Sequence, residues 1–141
     1  MTQRKAQAVW NGTLKNGSGS MKLESGNCSC GYSFGSRFEE AKGSNPEEFL
    51  GAASAGCFSM AFAHNLEKAG YPPETITTTA NVSLEKKGDG FNISTIKLDC
   101  QARVDNIEGE QFQKLANEAK ENCPVSQALA GADITLSAKL L

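Results

Sequence analysis

The fold of this 141-residue chain is decided by residues 45–63, which read NPEEFLGAASAGCFSMAFA. Asn45 suits the N-cap of a helix, Pro46 its first position and Glu48 the third position of a capping box. Glu47 and Glu48 also complement the positive end of the helix dipole. Every face of the stretch behind them carries apolar or small residues, which predicts a long helix buried on all sides.

The regions that flank this helix are predicted to be extended. Upstream, residues 6–38 read as short strands separated by glycine turns, with a further extended piece opening at 32–34. Downstream, Gly70 and the two prolines that follow it end the helix near Lys68. The central helix therefore connects two groups of strands.

Three strands are predicted downstream of the helix. Apolar residues alternate with polar ones over 76–84, over 96–104 and over 134–140, as half-buried strands require. A hairpin turn at 87–90 joins the first two strands. The apolar residues just after this turn have the opposite parity, which predicts a bulge near Ser94.

Helices are predicted between the second and third of these strands. Four apolar residues recur at helical spacing, namely Phe112, Leu115, Ala116 and Ala119. A cysteine and a proline at 123–124 interrupt this helix, and residues 125–130 can form a second, short one. The order of elements predicts an α+β fold with mainly antiparallel sheet, in one domain over residues 1–141.

Composition limits the classes of function. Sixteen acids and 14 bases give a net charge of −2 without any block of like charge, so we expect neither nucleic-acid binding nor attraction to anionic membranes. No stretch approaches the roughly 20 apolar residues of a membrane span. The N-terminus lacks the apolar run of a secretory signal. We therefore expect a soluble cytoplasmic protein.

Five cysteines are the candidate chemical groups. Cys57 lies in the central helix, where a cysteine is usually a small core residue, inert unless a cation stabilises its thiolate. Cys123 precedes a short helix whose N–H groups can stabilise a thiolate, and a solvent-edge cysteine without a role is an equal alternative. Cys100 shares the parity of the buried strand residues and is expected in the core.

The remaining two cysteines, Cys28 and Cys30, form a Cys-X-Cys motif in a glycine-rich turn. The motif is weak as half of a zinc site, because its spacing is unusual and no second pair follows. The single histidine, His64, falls in the helix predicted to be buried, so we expect no metal site. We expect a surface turn without a role here, and an accessory thiol pair is the alternative.

Residues 45–60, read together with Cys-Pro-Val-Ser at 123–126, resemble the OsmC/Ohr family of osmotically inducible and organic hydroperoxide resistance proteins. The resemblance covers nearly the whole chain, since it includes residues 10–12, 36–39, 78–84 and 134–136. The segment around residue 37 and the Cys-Pro-Val-Ser motif look more like the OsmC branch than the Ohr branch.

The resemblance implies a fold and an activity. The fold would be OsmC-like, with sheets wrapped around a long buried central helix in an intertwined homodimer that holds no metal or cofactor. The activity would be that of a thiol peroxidase, which reduces organic hydroperoxides and, more weakly, hydrogen peroxide in oxidative and osmotic stress. An external dithiol, of the dihydrolipoyl type, would regenerate it.

The resemblance also implies roles for four residues, carried over by motif. Cys57 matches the peroxidatic cysteine and Cys123 the resolving cysteine, so the cycle would pass through a Cys57 sulfenic acid and a Cys57–Cys123 disulfide. Arg37 matches the arginine that activates the thiolate, and Glu47 the acid that orients it. An arginine suits this task because it is always charged and offers several donors in one plane.

Glu47 and Cys57 lie ten residues apart on the predicted helix, which is roughly 15 Å along its axis. They cannot share one site within a straight helix. Either the helix breaks at a glycine, or each site combines Arg37 and Glu47 of one chain with Cys57 and Cys123 of its partner. We expect the second arrangement.

Three other functions remain as alternatives. A metal-buffering protein would use Cys28, Cys30 and other thiols, and it would not depend on Cys57. A general disulfide oxidoreductase is disfavoured because the chain has no Cys-X-X-Cys motif. A module that binds a small ligand or a partner would keep the core and would not need Cys123.

Overall fold

The computed structural model describes residues 1–141 and has the predicted α+β composition. The elements are β1 (Ala6–Asn11), β2 (Ser18–Leu23), β3 (Ser29–Tyr32), α1 (Phe34–Phe38), α2 (Pro46–Lys68), β4 (Thr75–Lys87), β5 (Gly90–Arg103), α3 (Gly109–Asn122), α4 (Pro124–Ala128) and β6 (Asp133–Leu140). The chain divides into two compact units, residues 1–48 and 49–141, which are described in turn. None of the helices combines the length and the hydropathy that a bilayer crossing requires.

The unit of residues 1–48 is built on an antiparallel sheet of order β1-β2-β3. The extended piece predicted at 32–34 ends at Tyr32, because the chain turns there into α1. Ser33 and Ser36 cause the turn through a capping box. The backbone N–H of Ser36 donates to the Ser33 hydroxyl at 3.1 Å, and that of Ser33 donates to the Ser36 hydroxyl at 2.9 Å.

The central helix α2 begins and ends where the sequence predicts. The backbone N–H of Glu48 donates to Oδ1 of Asn45 at 2.8 Å, which is the predicted N-cap bond. The helix ends at Lys68, and Gly70 adopts φ +90°, a left-handed conformation that favours glycine. Between these ends α2 is continuous through its internal glycines.

The sheet of the unit 49–141 has the order β4-β5-β6. The β4–β5 hairpin is antiparallel and closes at the predicted turn. Ser83 pairs with Thr95 and Leu84 with Ile93, so Ser94 is the extra residue of a bulge, as predicted. β6 pairs with β5 in parallel, an arrangement that requires the long connection through α3 and α4.

The core of this unit lies between α2, α3 and β5. Its buried side chains include Phe58, Phe62 and Leu66 of α2, Ile96, Leu98, Cys100 and Ala102 of β5, and Phe112, Ala116 and Ala119 of α3. The apolar stripe predicted for α3 and the inward face predicted for β5 are both confirmed. The ring of Phe62 meets that of Phe112 edge-on with centroids 5.2 Å apart.

Close packing of α2 on β4 explains a glycine in the helix. A Cβ placed on Gly51 would lie 3.3 Å from Cγ2 of Val82 and 3.5 Å from Cβ of Ala80. The contact with Val82 is tighter than ordinary packing, so a side chain at position 51 would require the Val82 side chain or the helix to shift slightly.

Burial of α2 differs from the prediction. Within one chain the helix buries a single face and exposes the opposite one, which we name the outer face of α2: Ala52, Ala53, Gly56 and Met60. Met60 is 78 % exposed, and His64 is exposed as well. The expectation of burial on every side is therefore wrong for the single chain. The physical reason is that a sheet and one helix cover only part of a helix's circumference.

We predict that Phe62→Ala lowers the free energy of unfolding by about 3–5 kcal/mol, because the side chain is fully buried between two aromatic rings. Urea denaturation followed by circular dichroism measures the change. The matched control is Leu14→Ala, which truncates a side chain that is 61 % exposed and should change stability by less than about 0.5 kcal/mol. Equal losses in the two variants would contradict the described core.

Candidate active site

Cys57 and Cys123 are joined by a disulfide, with their Cα atoms 6.1 Å apart. Cys57 lies half-buried in the middle of α2, and Cys123 is fully buried at the junction of α3 and α4. The alternative of Cys123 as a solvent-edge residue is therefore wrong. Two helices that are distant in sequence bring the two sulfurs together.

Pro124 explains the shape of the α3–α4 junction. Proline at the first position of α4 disfavours helical geometry at the preceding residue, and Cys123 accordingly adopts φ −61° and ψ 124°. The N–H of Cys123 still donates to the Ala119 carbonyl at 3.0 Å, and its carbonyl accepts from the N–H of Gln127 at 3.0 Å. Cys123 is thus both the C-cap of α3 and the N-cap of α4, so hydrogen bonds hold its backbone on both sides.

Polar contacts hold α2 near Cys57. The hydroxyls of Ser59 and Thr78 share a hydrogen bond of 2.7 Å between α2 and β4, and the side-chain amide of Asn65 donates to the Leu115 carbonyl of α3 at 3.2 Å. These bonds add direction to the apolar packing, because a hydrogen bond specifies an angle as well as a distance. The position of Cys57 along the core is therefore well defined.

Arg37 and Glu47 form an ion pair within the unit 1–48. Nη2 of Arg37 donates to Oε1 of Glu47 at 2.8 Å, while its Nε lies 3.2 and 3.3 Å from the two carboxylate oxygens. The Glu47 side chain is about one-tenth exposed, whereas that of Arg37 is about one-third exposed. The guanidinium also stacks over the Phe38 ring, 5.1 Å from its centroid. The carboxylate holds the arginine in a defined plane and leaves Nη1 without a bond to this carboxylate.

Two buried hydroxyls near the disulfide were missed by the sequence analysis. Ser54 and Ser126 each lie three residues from a cysteine of the pair, and neither hydroxyl has a hydrogen-bond partner. Spacing of three puts Ser54 on the same side of α2 as Cys57, and it makes Ser126 the N3 residue of the helix that Cys123 caps. The signal was present in the Cys-Pro-Val-Ser motif, where only the cysteine was assigned a role.

The other three cysteines are not bonded in disulfides. Cys100 is buried in the sheet as predicted, and burial raises the pKa of its thiol, an effect partly offset by a hydrogen bond with Thr78. Cys28 and Cys30 are half-buried and adjacent to each other. No group of three or more His, Cys, Asp or Glu side chains converges in a way that could hold a metal ion.

The fold and the bonded pair define a small α+β protein in which a cystine joins the central helix to a helix junction, a class whose sulfurs can cycle between dithiol and disulfide. The model of the OsmC-like protein family matches residues 39–138. Peroxiredoxin OsmC of Escherichia coli K12 is 46 % identical over 138 residues, which cover 97 % of this chain and 96 % of that protein. The chain belongs to the OsmC family, so the resemblance stated from its motifs is confirmed.

More distant relatives agree with this assignment. The organic hydroperoxide resistance protein OhrB of Bacillus subtilis is 28 % identical over 103 residues, 72 % of this chain and 74 % of that protein. Its crystal structure, with 23 % identity, matches 97 % of this chain and 98 % of its own with a TM-score of 0.68. An OsmC-like protein from Mycoplasma pneumoniae, at 16 % identity, matches 99 % and 98 % with a TM-score of 0.77. These structures confirm the predicted fold.

We predict that Cys100 resists alkylation in the native protein. Iodoacetamide reacts with the thiolate, and a raised pKa lowers the thiolate fraction at any given pH, so labelling should begin only at a more alkaline pH than for an ordinary thiol. Mass spectrometry of the tryptic peptide 98–103 measures the labelling. The urea-unfolded chain is the control, and equal labelling rates at pH 8 in the two states would refute the prediction.

Proposed function

We propose that this protein is a thiol peroxidase that reduces organic hydroperoxides, and hydrogen peroxide more weakly, to alcohols and water. The Cys57–Cys123 bond carries the proposal, because it joins two cysteines 66 positions apart at the places that the family motifs mark. The names of the relatives, peroxiredoxin OsmC and organic hydroperoxide resistance protein, support the same chemistry.

The reaction proceeds in two steps on the protein. The Cys57 thiolate attacks the terminal oxygen of the hydroperoxide, so that an S–O bond forms and the O–O bond breaks. The leaving alkoxide takes a proton and departs as the alcohol, and Cys57 becomes a sulfenic acid. The Cys123 thiolate then attacks this sulfur, the S–S bond forms, and hydroxide leaves and is protonated to water. The peroxide has gained the two electrons that the two thiols have lost.

An external dithiol completes the cycle by thiol–disulfide exchange. Its first sulfur attacks the Cys57–Cys123 bond and its second releases the mixed disulfide, which returns both cysteines to the reduced state. We assign this role to a dithiol of the dihydrolipoyl type. Because the disulfide must be reopened in every turnover, the cycle requires a reducing compartment, and this supports a cytoplasmic location and a role in oxidative and osmotic stress defence.

Arg37 is the proposed activating cation and Glu47 the residue that positions it. A half-buried sulfur needs an opposite charge to stay ionised, and the fixed guanidinium plane supplies one. The paired hydrogen bonds that Arg37 donates to Glu47 restrict the arginine to one rotamer, which lowers the entropic cost of placing it beside a thiolate. Ser54 and Ser126 offer two further donors to a sulfur-bound oxygen.

We propose that each active site is completed by a second copy of the chain. Since α2 is continuous, the ten residues from Glu47 to Cys57 span roughly 15 Å of helix. The Glu47 carboxylate therefore cannot lie beside the Cys57 sulfur of the same helix. The outer face of α2 offers a surface for a partner, because it is exposed, apolar or small-sided and carries no charge. A homodimer through this face would also provide the burial that the sequence predicted for the whole helix.

The mechanism predicts different defects for the two cysteine variants. Cys57→Ser should lower turnover of an organic hydroperoxide to the uncatalysed rate, because the nucleophile is gone. In the absence of a dithiol, Cys123→Ser should consume one equivalent of hydroperoxide per chain and stop at a Cys57 sulfenic acid, whereas the wild type stops at the Cys57–Cys123 disulfide. Cumene hydroperoxide loss with a dithiol present measures turnover, and trapping with dimedone identifies the sulfenic acid.

Cys100→Ala is the matched control for these variants, since it removes a buried thiol that has no part in the mechanism. It should retain wild-type turnover. Wild-type turnover by Cys57→Ser would overturn the proposed function.

A shared site predicts complementation between inactive chains. Arg37→Ala and Cys57→Ser homodimers should each turn over slowly or not at all. A mixed dimer should regain one functional site, formed by Arg37 of the Cys57→Ser chain and Cys57 of the Arg37→Ala chain. Mixing the two variants after reversible dissociation and measuring turnover tests the arrangement. If the site lay within one chain, no mixture could restore activity.

A further inference from the structure

Cys28 and Cys30 form a second pair of sulfurs that the peroxidase cycle does not use. Their Sγ atoms lie 2.9 Å apart and share a hydrogen bond. Neither cysteine is bonded in a disulfide, and both are half-buried rather than enclosed. Small molecules in solvent can therefore reach the pair, and a bond between the two sulfurs would need no rearrangement of the chain.

The backbone at the start of β3 favours this proximity. Cys30 lies in β3 and Cys28 directly precedes its first residue, Ser29, and side chains two residues apart in extended backbone point to the same side. Cys30 pairs with Met21 of β2, and the N–H of Leu23 donates to the Cys28 carbonyl at 3.0 Å, so both cysteine backbones are fixed against the same neighbouring strand. The close approach of the sulfurs is thus a property of the sheet and not of two freely moving side chains.

The shared hydrogen bond and nearby charges affect the ionisation of the Cys30 thiol. The hydrogen bond with Cys28, burial, and the negative charges of Cys28 and Glu48 raise the pKa of the Cys30 thiol. After the pair loses one proton, the remaining thiol can donate a hydrogen bond to the thiolate of the other sulfur and stabilise it.

We propose that Cys28 and Cys30 form a second dithiol–disulfide centre, which exchanges electrons with small-molecule thiols and disulfides of the glutathione class. One sulfur of the pair attacks a disulfide R–S–S–R as the thiolate, so that a mixed disulfide forms and one thiolate R–S⁻ leaves. The other sulfur of the pair then attacks the first, the Cys28–Cys30 bond forms, and the second R–S⁻ leaves and takes up the proton that the attacking thiol gives up. Two protein thiols are oxidised, and one disulfide is reduced to two thiols.

This centre lets the chain respond to the thiol–disulfide balance of its surroundings as well as to peroxide. The Cys28–Cys30 bond would close a ring across a single intervening residue, whereas the Cys57–Cys123 bond joins α2 to the α3–α4 junction. Metal binding is the less favoured use of the pair, because no third metal-ligating side chain joins it.

Tryptic mapping separates all the relevant sulfurs in the unmodified protein. Cleavage after lysine and arginine places Cys28 and Cys30 together in peptide 23–37, Cys57 in 43–68, Cys100 in 98–103 and Cys123 in 121–139. The fully reduced protein is equilibrated with graded ratios of reduced and oxidised glutathione, quenched with acid, alkylated and digested. We expect peptide 23–37 to convert to a form lighter by two hydrogen atoms and free of alkyl groups, with full reversal in reduced glutathione.

Single variants test whether each sulfur can react alone. Cys30→Ser should accumulate a glutathione adduct on Cys28, and Cys28→Ser should accumulate one on Cys30, because in each variant no second thiol resolves the mixed disulfide. Absence of an adduct in both variants would overturn the proposed exchange.

The same digest keeps this proposal apart from the peroxidase. The double variant Cys57→Ser with Cys123→Ser should show the same conversion of peptide 23–37 as the wild type, and the wild-type digest tests the proposal even if that variant fails to fold. Two alkylated thiols throughout the titration, or one Zn²⁺ retained by the reduced wild-type protein and lost in Cys28→Ser, would overturn the proposed centre. Neither result would bear on the conversion of Cys57 and Cys123 by hydroperoxide.

Discussion

The packing of one face of α2 against β5 and α3 determines where the chemistry of this protein can occur. Phe58, Phe62 and Leu66 anchor the helix in the core, and the hydrogen bond between Ser59 and Thr78 fixes its height over the sheet. Cys57 directly precedes Phe58, so the same packing positions it. The sulfur is held at the edge of a rigid apolar layer and does not lie on a mobile loop.

The same packing leaves the other side of α2 uncovered, which connects stability to function. Burying apolar surface contributes roughly 25 cal/mol per Å², so a second chain on the outer face would stabilise the helix further. In the proposed homodimer, one association would provide both this stability and a shared active site. This gives a physical reason for a helix that is apolar all round in a chain too small to bury it alone.

Predictions from the sequence succeeded where neighbouring residues decide the outcome. The Asn45 cap, the bulge at Ser94 and the buried stripe of α3 all follow from local hydrogen bonds or from periodicity. The segment after Tyr32 failed, because two serines three residues apart formed a capping box that alternation of apolar residues does not reveal. The parallel pairing of β6 is equally invisible in its alternating pattern.

By itself the sequence determined the family, most of the elements and the candidate site residues, because motifs, capping and periodicity are properties of short segments. Only the tertiary structure decided that Cys123 is buried, that α2 keeps one face exposed, and that Cys28 and Cys30 nearly touch. Burial depends on which elements meet in space, and the distance between two sulfurs depends on how strands pair. Both quantities come from contacts between segments that are remote in the chain, and no local pattern contains them.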